Sequence, residues 1–258
     1  MSRAAHRILK ADPVMAALIA AVGPVRLGRS ALRAQQSPFE SLARAIAHQQ
    51  LHGAAAERIL GRLVALFAPA SFPSPQQLLA AEPTQLRAVG FSFAKVAALK
   101  DLAAKTVAGI VPGGAAELAE LSDLQIITRL TSVRGIGRWT VEMMLIFQLE
   151  RPDVLPVDDF GVRNGFRLAY GLPGMPLPRA LAEFGERWKP YRSMAAWYLW
   201  RAVELARSAQ LPPCERPPRI AVKKLARKVA GVRRRLSAHK AKQQARPKRP
   251  SDPRSRRR

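Results

Sequence analysis

Two consecutive aspartates, Asp158 and Asp159, are the residues of this sequence whose type and setting best suit chemistry. They stand at the expected start of a helix with Phe160, Val162 and Phe166 on its apolar face. An aspartate at a helix start can simply be an N-cap, which is worth about 1 kcal/mol. One cap is enough for one helix, so the pair suggests that the two aspartates have different roles. The helix dipole favours the ionised carboxylate, which at neutral pH could stabilise a developing cation or orient water.

A second stretch, about twenty residues earlier, has the spacing of a phosphate-binding turn. One helical pattern runs up to Leu130 and another restarts near Trp139, with Gly135 and Gly137 flanking Ile136. The two glycines permit a tight turn with positive φ angles and leave the backbone uncovered. The N–H groups that start the second helix would then point outward with the helix dipole behind them, which suits one phosphate. A plain helix–helix turn with a glycine C-cap would show the same Gly-x-Gly spacing.

The charge of the chain indicates a polyanionic partner. The 258 residues carry a formal net charge of +25, which favours nucleic acid first and an anionic membrane surface second. No run of about 18 apolar residues predicts a transmembrane span, and the N-terminus lacks a long apolar stretch of the secretory kind. We therefore expect a cytoplasmic protein with access to DNA, nucleoid-associated if the source is bacterial.

Disulfide and metal chemistry find little support in the sequence. Cys214 is the single cysteine, so one chain cannot build a disulfide or a cysteine-ligated zinc or iron–sulfur site. His48 and His52 are four residues apart, but no third ligand is evident. We interpret both, together with His6 and His239, as DNA-facing or surface residues.

The C-terminal segment 208–258 differs in composition from the rest of the chain. It holds 18 Lys and Arg residues against Glu215 and Asp252, and therefore carries 16 of the 25 net positive charges. It also has seven prolines and no aromatic residue. Such a segment buries too little apolar surface to offset the entropy of ordering, so we predict a mostly disordered basic tail. Its expected role is salt-dependent affinity for DNA or another polyanion, although a tail that serves only solubility would have the same composition.

Nearly every segment before the tail has helical periodicity. Asp12 followed by proline marks one helix start, and Ser122 with Gln125 forms a capping box ahead of the turn. Only 153–157 looks extended, and its proline argues against a central strand. The sequence predicts an all-α fold of about ten helices without internal repeats. The expected helices are 12–22, one opening at Pro38, 54–67, 75–81, 83–89, 93–109, one from Ser122 into the turn, 139–149, 159–170, 178–188 and 193–206.

Several short segments, taken together, are shared with a known family. They are Ile46–Leu51, Phe93–Leu99, Gly135–Thr140, Leu155–Asp159 and Trp188–Ser193, with Trp200. In combination they resemble the 3-methyladenine DNA glycosylase II family of the helix-hairpin-helix DNA glycosylases, over roughly residues 12–206. The resemblance implies a two-lobed fold with a cleft between the lobes, formed by residues 1–207. The chain is similar to the compact members that lack an N-terminal β-rich domain.

The resemblance also implies a reaction, hydrolysis of the N-glycosidic bond of an alkylated base in base excision repair. Asp159 is then the essential carboxylate, and Asp158 is a supporting residue or a cap. A base of the 3-methyladenine or 7-methylguanine type is already cationic, so one anion near C1′ of an oxocarbenium-like transition state is enough. The base must be flipped out of the duplex, with Gln50 or its neighbour Leu51 as the wedge that fills the gap.

Three residues are expected to form the base-stacking pocket: Trp139, Met143 and Trp200. Trp139 stands where strand-cleaving relatives have a Schiff-base lysine, so we expect a monofunctional enzyme that leaves an abasic site. An indole also offers a π face to a cationic base. Core packing is the alternative for each tryptophan, and it is our expectation for Trp188.

The hairpin is expected to bind a phosphate of double-stranded DNA. Family hairpins can also hold a monovalent cation, Na+ or K+, through main-chain carbonyls, here those of Thr131, Val133 and Gly135. No other cofactor is expected, and we expect a monomer without membrane contacts. The implied phosphate-binding residues are Val133, Arg134, Gly135, Ile136, Gly137, Arg138 and Thr140.

Two other functions stay open at this point. One is a non-catalytic DNA-binding protein that uses the hairpin and the basic tail for compaction. The other is a glycosylase for an oxidised or deaminated base. The tryptophan at position 139 and the shortage of cysteines weigh against strand-cleaving glycosylases. They leave open a glycosylase that removes an oxidised or deaminated base without strand cleavage.

Overall fold

The computed structural model describes residues 3–25, 27, 36–220 and 222, and these ranges are almost entirely helical. They contain thirteen α-helices and one 3₁₀ turn, Glu186–Trp188. The α-helices are α1 Arg3–Lys10, α2 Pro13–Val22, α3 Pro38–His48, α4 Gly53–Leu66, α5 Pro75–Ala80, α6 Pro83–Ala88, α7 Phe93–Val107, α8 Ala115–Ala119, α9 Asp123–Thr131, α10 Arg138–Phe147, α11 Phe160–Ala169, α12 Pro178–Gly185 and α13 Arg192–Arg207.

Side chains that cap the first turn set many of the helix starts. Asp12, Ser37 and Ser92 each accept hydrogen bonds from free N–H groups of the helix that follows. Ser122 and Gln125 form the reciprocal capping box expected from the sequence. These local signals explain why most of the expected helix bounds lie within a few residues of the observed ones.

Two separate apolar cores divide the described residues into two lobes. The first core is formed by α3 to α10 and the loops between them. The second core is formed by α1, α2 and α11 to α13, with a cluster of aromatic rings around Phe166. The chain passes from the first core to the second between Val154 and Leu155, just before the aspartate pair. The predicted all-α, two-lobed fold is therefore confirmed.

A buried carboxylate ties the N-terminal helices to the second core. Oδ1 of Asp12 accepts the N–H of Val14 at 3.0 Å, while Oδ2 accepts the hydroxyl of Tyr170 at 2.6 Å and Nε1 of Trp188 at 3.2 Å. Burial, with the nearby Asp12 charge, raises the pKa of Tyr170 well above its usual value. Trp188 is fully buried, which confirms its expected place in the core.

Two glycines let α11 pack directly against α13. A Cβ at Gly165 would lie 1.8 Å from the main-chain oxygen of Leu199, so only glycine fits there. A Cβ at Gly161, one turn earlier, would lie 2.8 Å from Cδ1 of Trp200 and 3.1 Å from Oδ1 of Asp159. This close approach brings the side chain of Trp200 to the N-terminus of α11.

The structure adds two helices to the expected elements and shows that the start of the predicted tail packs on the fold. Helices α1 and α8 were not expected, and α8 has only five residues. The segment 153–157 forms no strand. The start of the predicted tail is an extended segment whose Leu211, Ile220 and Val222 pack on the second core, with a bridge from Val222 to Pro176.

Parts of two expected regions lie outside the described residues. These parts are most of the loop expected at 24–36 and the tail from 223 onward, so the disorder expected of the tail stays a prediction. Among the described helices, none is long and apolar enough to cross a membrane. Within the same ranges no group of three or more His, Cys, Asp or Glu side chains is arranged to hold a metal ion.

Candidate active site at the lobe junction

Asp159 lies at the junction of the two lobes and is held by three N–H donors. It is the N-cap of α11, where its Oδ1 accepts the N–H of Val162 at 2.6 Å. The same oxygen accepts Nε1 of Trp200 at 2.9 Å, and Oδ2 accepts Nε1 of Trp139 at 2.7 Å. The side chain is nevertheless only partly buried. The result is an accessible anion with a fixed direction at a helix N-terminus.

The two tryptophans reach this carboxylate from different lobes. Trp139 is in the first turn of α10 and is 52% exposed. Trp200 is on α13, packs against both cores, and stacks on Phe147 of the first lobe with ring centroids 5.6 Å apart. One face of the Trp200 ring is thus already covered by protein. Trp139 and Trp200 lie close to the same site, as expected, but each contacts Asp159 through the ring edge that carries its indole N–H group.

Asp158 is placed differently from its neighbour. It is exposed, and its side chain has no hydrogen bond or ion pair within the described part of the chain. The helix cap is supplied by Asp159, so the suggestion that Asp158 is the cap is wrong. The charge of Asp158 still acts locally, because it contributes to the pKa shift of Glu142 described below. Its supporting role stays a prediction.

The turn between α9 and α10 leaves a set of N–H groups without acceptors. Gly135 has a φ of +79°, which favours glycine. The side chains of Val133 and Ile136 are buried in the first core, so they anchor the turn and do not face solvent. The N–H groups of Gly135, Gly137, Arg138 and Trp139 have no acceptor among the described residues. Free N–H groups at the start of a helix can bind an anion, so the phosphate site expected at this turn stays a prediction that the geometry allows. The N–H of Thr140 is not one of them, because it bonds to the carbonyl of Gly137 at 3.0 Å.

Helix α7 fixes the other end of the turn. Oδ2 of Asp101 accepts the N–H of Arg134 at 2.7 Å and Nζ of Lys105 at 2.9 Å, and Lys105 also bonds to the carbonyl of Ser132. Burial opposes ionisation of Asp101, but the hydrogen bonds and positive charges of Arg134 and Lys105 outweigh it and lower the pKa. The N–H of Arg134 is therefore not free for a phosphate, whereas its exposed side chain is not so restricted.

The expected wedge adjoins the hairpin through a residue that the sequence did not single out. Nε2 of Gln49 donates to the carbonyl of Gly135 at 2.8 Å. Gln50 follows at the end of α3 with a φ of +56° and is exposed, and Leu51 is 40% exposed. Both wedge candidates thus lie on a turn that is tied to the hairpin.

A cleft of about 790 Å³ opens beside this turn. Trp139 and Met143 line it from α10, and Ser41, Arg44 and His48 line it from α3. Trp200 does not line this cleft, so the three expected stacking residues do not form one wall. Trp139 is the residue that faces both the cleft and Asp159.

The carbonyls proposed to hold a cation are partly engaged. The carbonyl of Val133 accepts the N–H of Ile136 at 3.0 Å, and that of Gly135 accepts Gln49. A carbonyl oxygen has two lone pairs, so a second contact is compatible with both bonds. The cation site stays a prediction.

Comparison with known proteins decides the family. The family model described as HhH-GPD superfamily base excision DNA repair protein matches residues 43–190, more than half of the chain. The chain belongs to this superfamily. The matched range includes the Gln49 turn, the hairpin and Asp159, so the HhH-GPD match coincides with the site found in the structure.

Individual relatives place the chain among the 3-methyladenine enzymes of the superfamily. DNA-3-methyladenine glycosylase 1 of Schizosaccharomyces pombe is 42% identical over 189 residues, covering 73% of this chain and 82% of the relative. The solved structure of that organism's 3-methyladenine DNA glycosylase with abasic DNA has a TM-score of 0.67 at 40% identity and covers 79% of this chain and 98% of its own. A DNA-3-methyladenine glycosidase structure from Bacillus halodurans gives 0.71 at 31%, covering 80% and 92%. The family resemblance expected from the motifs is confirmed.

Several residues of this HhH-GPD site were missed by sequence reasoning. Gln49, Asp101 and Lys105 act through contacts with residues far away in the chain, which a single sequence does not reveal. Glu142 had a usable signal, because Arg138 stands four residues before it on the same helix.

Proposed function

We propose that this chain is a monofunctional DNA glycosylase that hydrolyses the N-glycosidic bond of alkylated purines and leaves an abasic site. The observation that carries the proposal is the partly exposed carboxylate of Asp159, fixed by three N–H donors where the two lobes meet. The proposal is supported by relatives named as 3-methyladenine DNA glycosylases, one of them solved with abasic DNA.

The chemistry requires little more than this anion. An alkylated purine such as 3-methyladenine carries a positive charge and leaves as a neutral base without a general acid. As the bond breaks, positive charge develops on the sugar, and the carboxylate of Asp159 stabilises it in a partly desolvated site. Water then adds to C1′ and loses a proton, which completes the hydrolysis.

Three of the described lysines, Lys95, Lys100 and Lys105, are held by main-chain carbonyls, and none of these three bonds to Asp159. A glycosylase with lyase activity needs an amine that attacks C1′, and position 139 holds a tryptophan. Burial lowers the pKa of Lys95, and its Nζ bonds to the carbonyl of Ala47 in the last turn of α3 at 2.7 Å. Lys100 bonds to the carbonyl of Leu79 in α5 at 2.6 Å, and Lys105 bonds to the carbonyl of Ser132 and to Asp101. We therefore infer a hydrolase without lyase activity.

We infer that double-stranded DNA is the partner and that the hairpin binds one of its backbone phosphates. The free N–H groups next to Gly137 would bind one backbone phosphate, and Gln50 or Leu51 would enter the gap that the flipped nucleotide leaves. The extruded base would then meet the exposed ring of Trp139, with Met143 one turn further along α10.

The basic tail is a second inferred contact with DNA, at neighbouring phosphates. Its last described residue, Val222, pairs with Pro176, whose carbonyl accepts two hydrogen bonds from Arg163 at 3.0 and 2.6 Å. Arg163 is one helical turn from Asp159 on α11. The last described residue of the tail thus lies on the lobe that carries Asp159. We further propose that the protein acts as a monomer in the cytoplasm.

The test uses duplex DNA treated with a methylating agent, and it measures released bases by chromatography. Asp159→Asn is expected to lower the single-turnover rate at least about 100-fold while binding to abasic DNA stays intact. Asp158→Asn is the matched control and should lose far less, because no described residue bonds to the Asp158 side chain. Undiminished release by the Asp159→Asn variant would overturn the assignment. Binding without any release by the native chain would favour a DNA-compaction protein, and release confined to oxidised or deaminated bases in a panel of single-lesion duplexes would favour a different glycosylase.

A further inference from the structure

Glu142 is a buried carboxylate that the proposed chemistry does not use. Its side chain is 4% exposed, and Oε1 accepts Nε of Arg138 at 2.8 Å. No other hydrogen bond to this side chain is found within the described ranges. Burying a carboxylate is costly, and an apolar side chain of similar volume is often at least as stabilising. Asp158 and Asp159 add like charge nearby. Stability alone therefore does not account for a glutamate here.

Its partner Arg138 stands at the anion site of the hairpin. Arg138 is the first residue of α10, and its side chain is 59% exposed. The N–H groups of Gly137, Arg138 and Trp139 beside it have no acceptor among the described residues. Glu142 engages only Nε of the guanidinium. Both Nη atoms have no acceptor among the described residues. The free edge of the guanidinium is the part that forms paired hydrogen bonds with phosphate oxygens.

We propose that Glu142 is a positioning residue that holds the Arg138 guanidinium ready for the DNA phosphate bound by the hairpin. A long exposed arginine loses much side-chain freedom when it binds, and a partner that orients it in the free protein reduces this loss. The phosphate would then be bound jointly by main-chain N–H groups and by one pre-oriented side chain. The inference rests on the proposed function only in that the ligand is DNA.

A double-mutant cycle tests this role. The affinity for a duplex with a tetrahydrofuran abasic analogue would be measured by fluorescence anisotropy for the native chain, Arg138→Ala, Glu142→Leu and the double variant. We expect each single variant to bind roughly 10-fold more weakly, as for the removal of one charge-assisted hydrogen bond. The double variant should bind no more weakly than Arg138→Ala alone. Glu142→Gln keeps an acceptor for Nε and should retain most of the affinity.

Urea unfolding of the same proteins separates positioning from structure. Glu142→Leu should be as stable as the native chain, so its weaker binding would not come from partial unfolding. Glu183→Leu is a control for the pairing alone, because Glu183 pairs with Arg179 at the same spacing and the same 2.8 Å on α12, with both side chains exposed. Full affinity in Glu142→Leu, or losses in the two single variants that multiply in the double variant, would overturn the proposal.

Base release distinguishes a failure of this inference from a failure of the proposed function. If the native chain binds abasic DNA but releases no base, the function fails while the cycle still tests Glu142. If the native chain releases bases and Glu142→Leu binds as tightly as the native chain, the positioning role alone fails.

Discussion

The indole Nε1 of Trp139 donates a hydrogen bond to Oδ2 of Asp159 over 2.7 Å and so joins the hairpin to the carboxylate. Trp139 follows the glycine turn by two residues and belongs to the first lobe, whereas Asp159 begins a helix of the second. This hydrogen bond therefore links the hairpin of the first lobe directly to the carboxylate of the second. Trp200 completes the arrangement from the opposite side.

Removing either indole N–H should slow base release. In Trp139→Phe or Trp200→Phe the aromatic ring remains but the donor to Asp159 is absent, so the carboxylate is less well oriented. A hydrogen bond to a charged group is worth about 1.5–3 kcal/mol, so we expect a single-turnover rate reduced roughly 10- to 100-fold. Trp197→Phe on the same helix is the control, since the Trp197 ring contacts Tyr198 and no hydrogen bond joins it to Asp159 among the described residues. Unchanged rates in both site variants would show that the indole N–H groups are dispensable.

The glycines of α11 should separate stability from catalysis. Gly165→Ala would place a methyl 1.8 Å from the carbonyl oxygen of Leu199, and we expect a decrease of at least about 2 kcal/mol in the free energy of unfolding. A Cβ at Gly161 would meet side-chain atoms of Trp200 and Asp159 and no main-chain atom, so Gly161→Ala should cost less stability but reduce base release.

An exposed helical glycine supplies the comparison for these variants. A Cβ at Gly61 meets nothing within 4 Å, and Gly61→Ala should gain roughly 0.5–1 kcal/mol. Urea unfolding and single-turnover assays would be run on all three variants. A Gly165→Ala protein as stable as the native chain would contradict the close packing of α11 on α13.

Glu142 predicts a pH dependence of stability. Burial raises its pKa above the ordinary value of 4.5, although Arg138 opposes the rise. The folded protein therefore binds this proton more tightly than the unfolded chain does. The contribution of Glu142 to stability falls as the pH rises from the unfolded value through the raised folded value, and it stays low above that value.

Glu142→Gln should reveal this effect in urea unfolding. The variant cannot ionise, so its gain in unfolding free energy over the native chain should be larger at about pH 7.5 than at about pH 4. Combined with the binding measurements, this substitution tests whether a residue that serves DNA binding does so at the expense of stability at neutral pH. An equal difference at both pH values would indicate that the carboxyl group is not perturbed by burial.

Deleting residues 223–258 should weaken DNA binding mainly through its salt dependence. The deleted segment carries 16 Lys and Arg residues against Asp252. The slope of log K against log salt should become shallower by about 0.9 for each phosphate that the tail no longer neutralises, while the rate at saturating enzyme stays the same. A full-length variant with these basic residues changed to glutamine controls for chain length. Identical slopes for the native and shortened chains would show that the tail does not contribute to DNA binding.

Local signals in the sequence predicted much of this fold. Capping residues and prolines mark where helices begin, so the bounds of α2, α3 and α9 followed from short segments. Helix α1 was missed because its apolar face becomes recognisable only once Leu9 is packed in the second core. The same dependence on distant residues hid the hydrogen bond of Gln49 to Gly135, which are 86 residues apart.

Asp12 and Asp159 show what a sequence cannot distinguish. Both are N-caps, and both accept a tryptophan Nε1. Asp12 is enclosed by the second core and stabilises the fold, whereas Asp159 remains accessible beside an exposed indole. Their difference lies in what surrounds them, which is set by helix packing. The motif resemblance selected Asp159, and its catalytic role stays a prediction that the Asp159→Asn variant tests.

Trp200 packs against both cores while its indole N–H holds Asp159. If the two lobes separate, the Trp200 ring must lose either its stacking on Phe147 or its hydrogen bond to Asp159. We therefore expect Asp159 to keep all three of its N–H donors only while the two lobes stay together. DNA that binds both lobes at once would then favour the complete site.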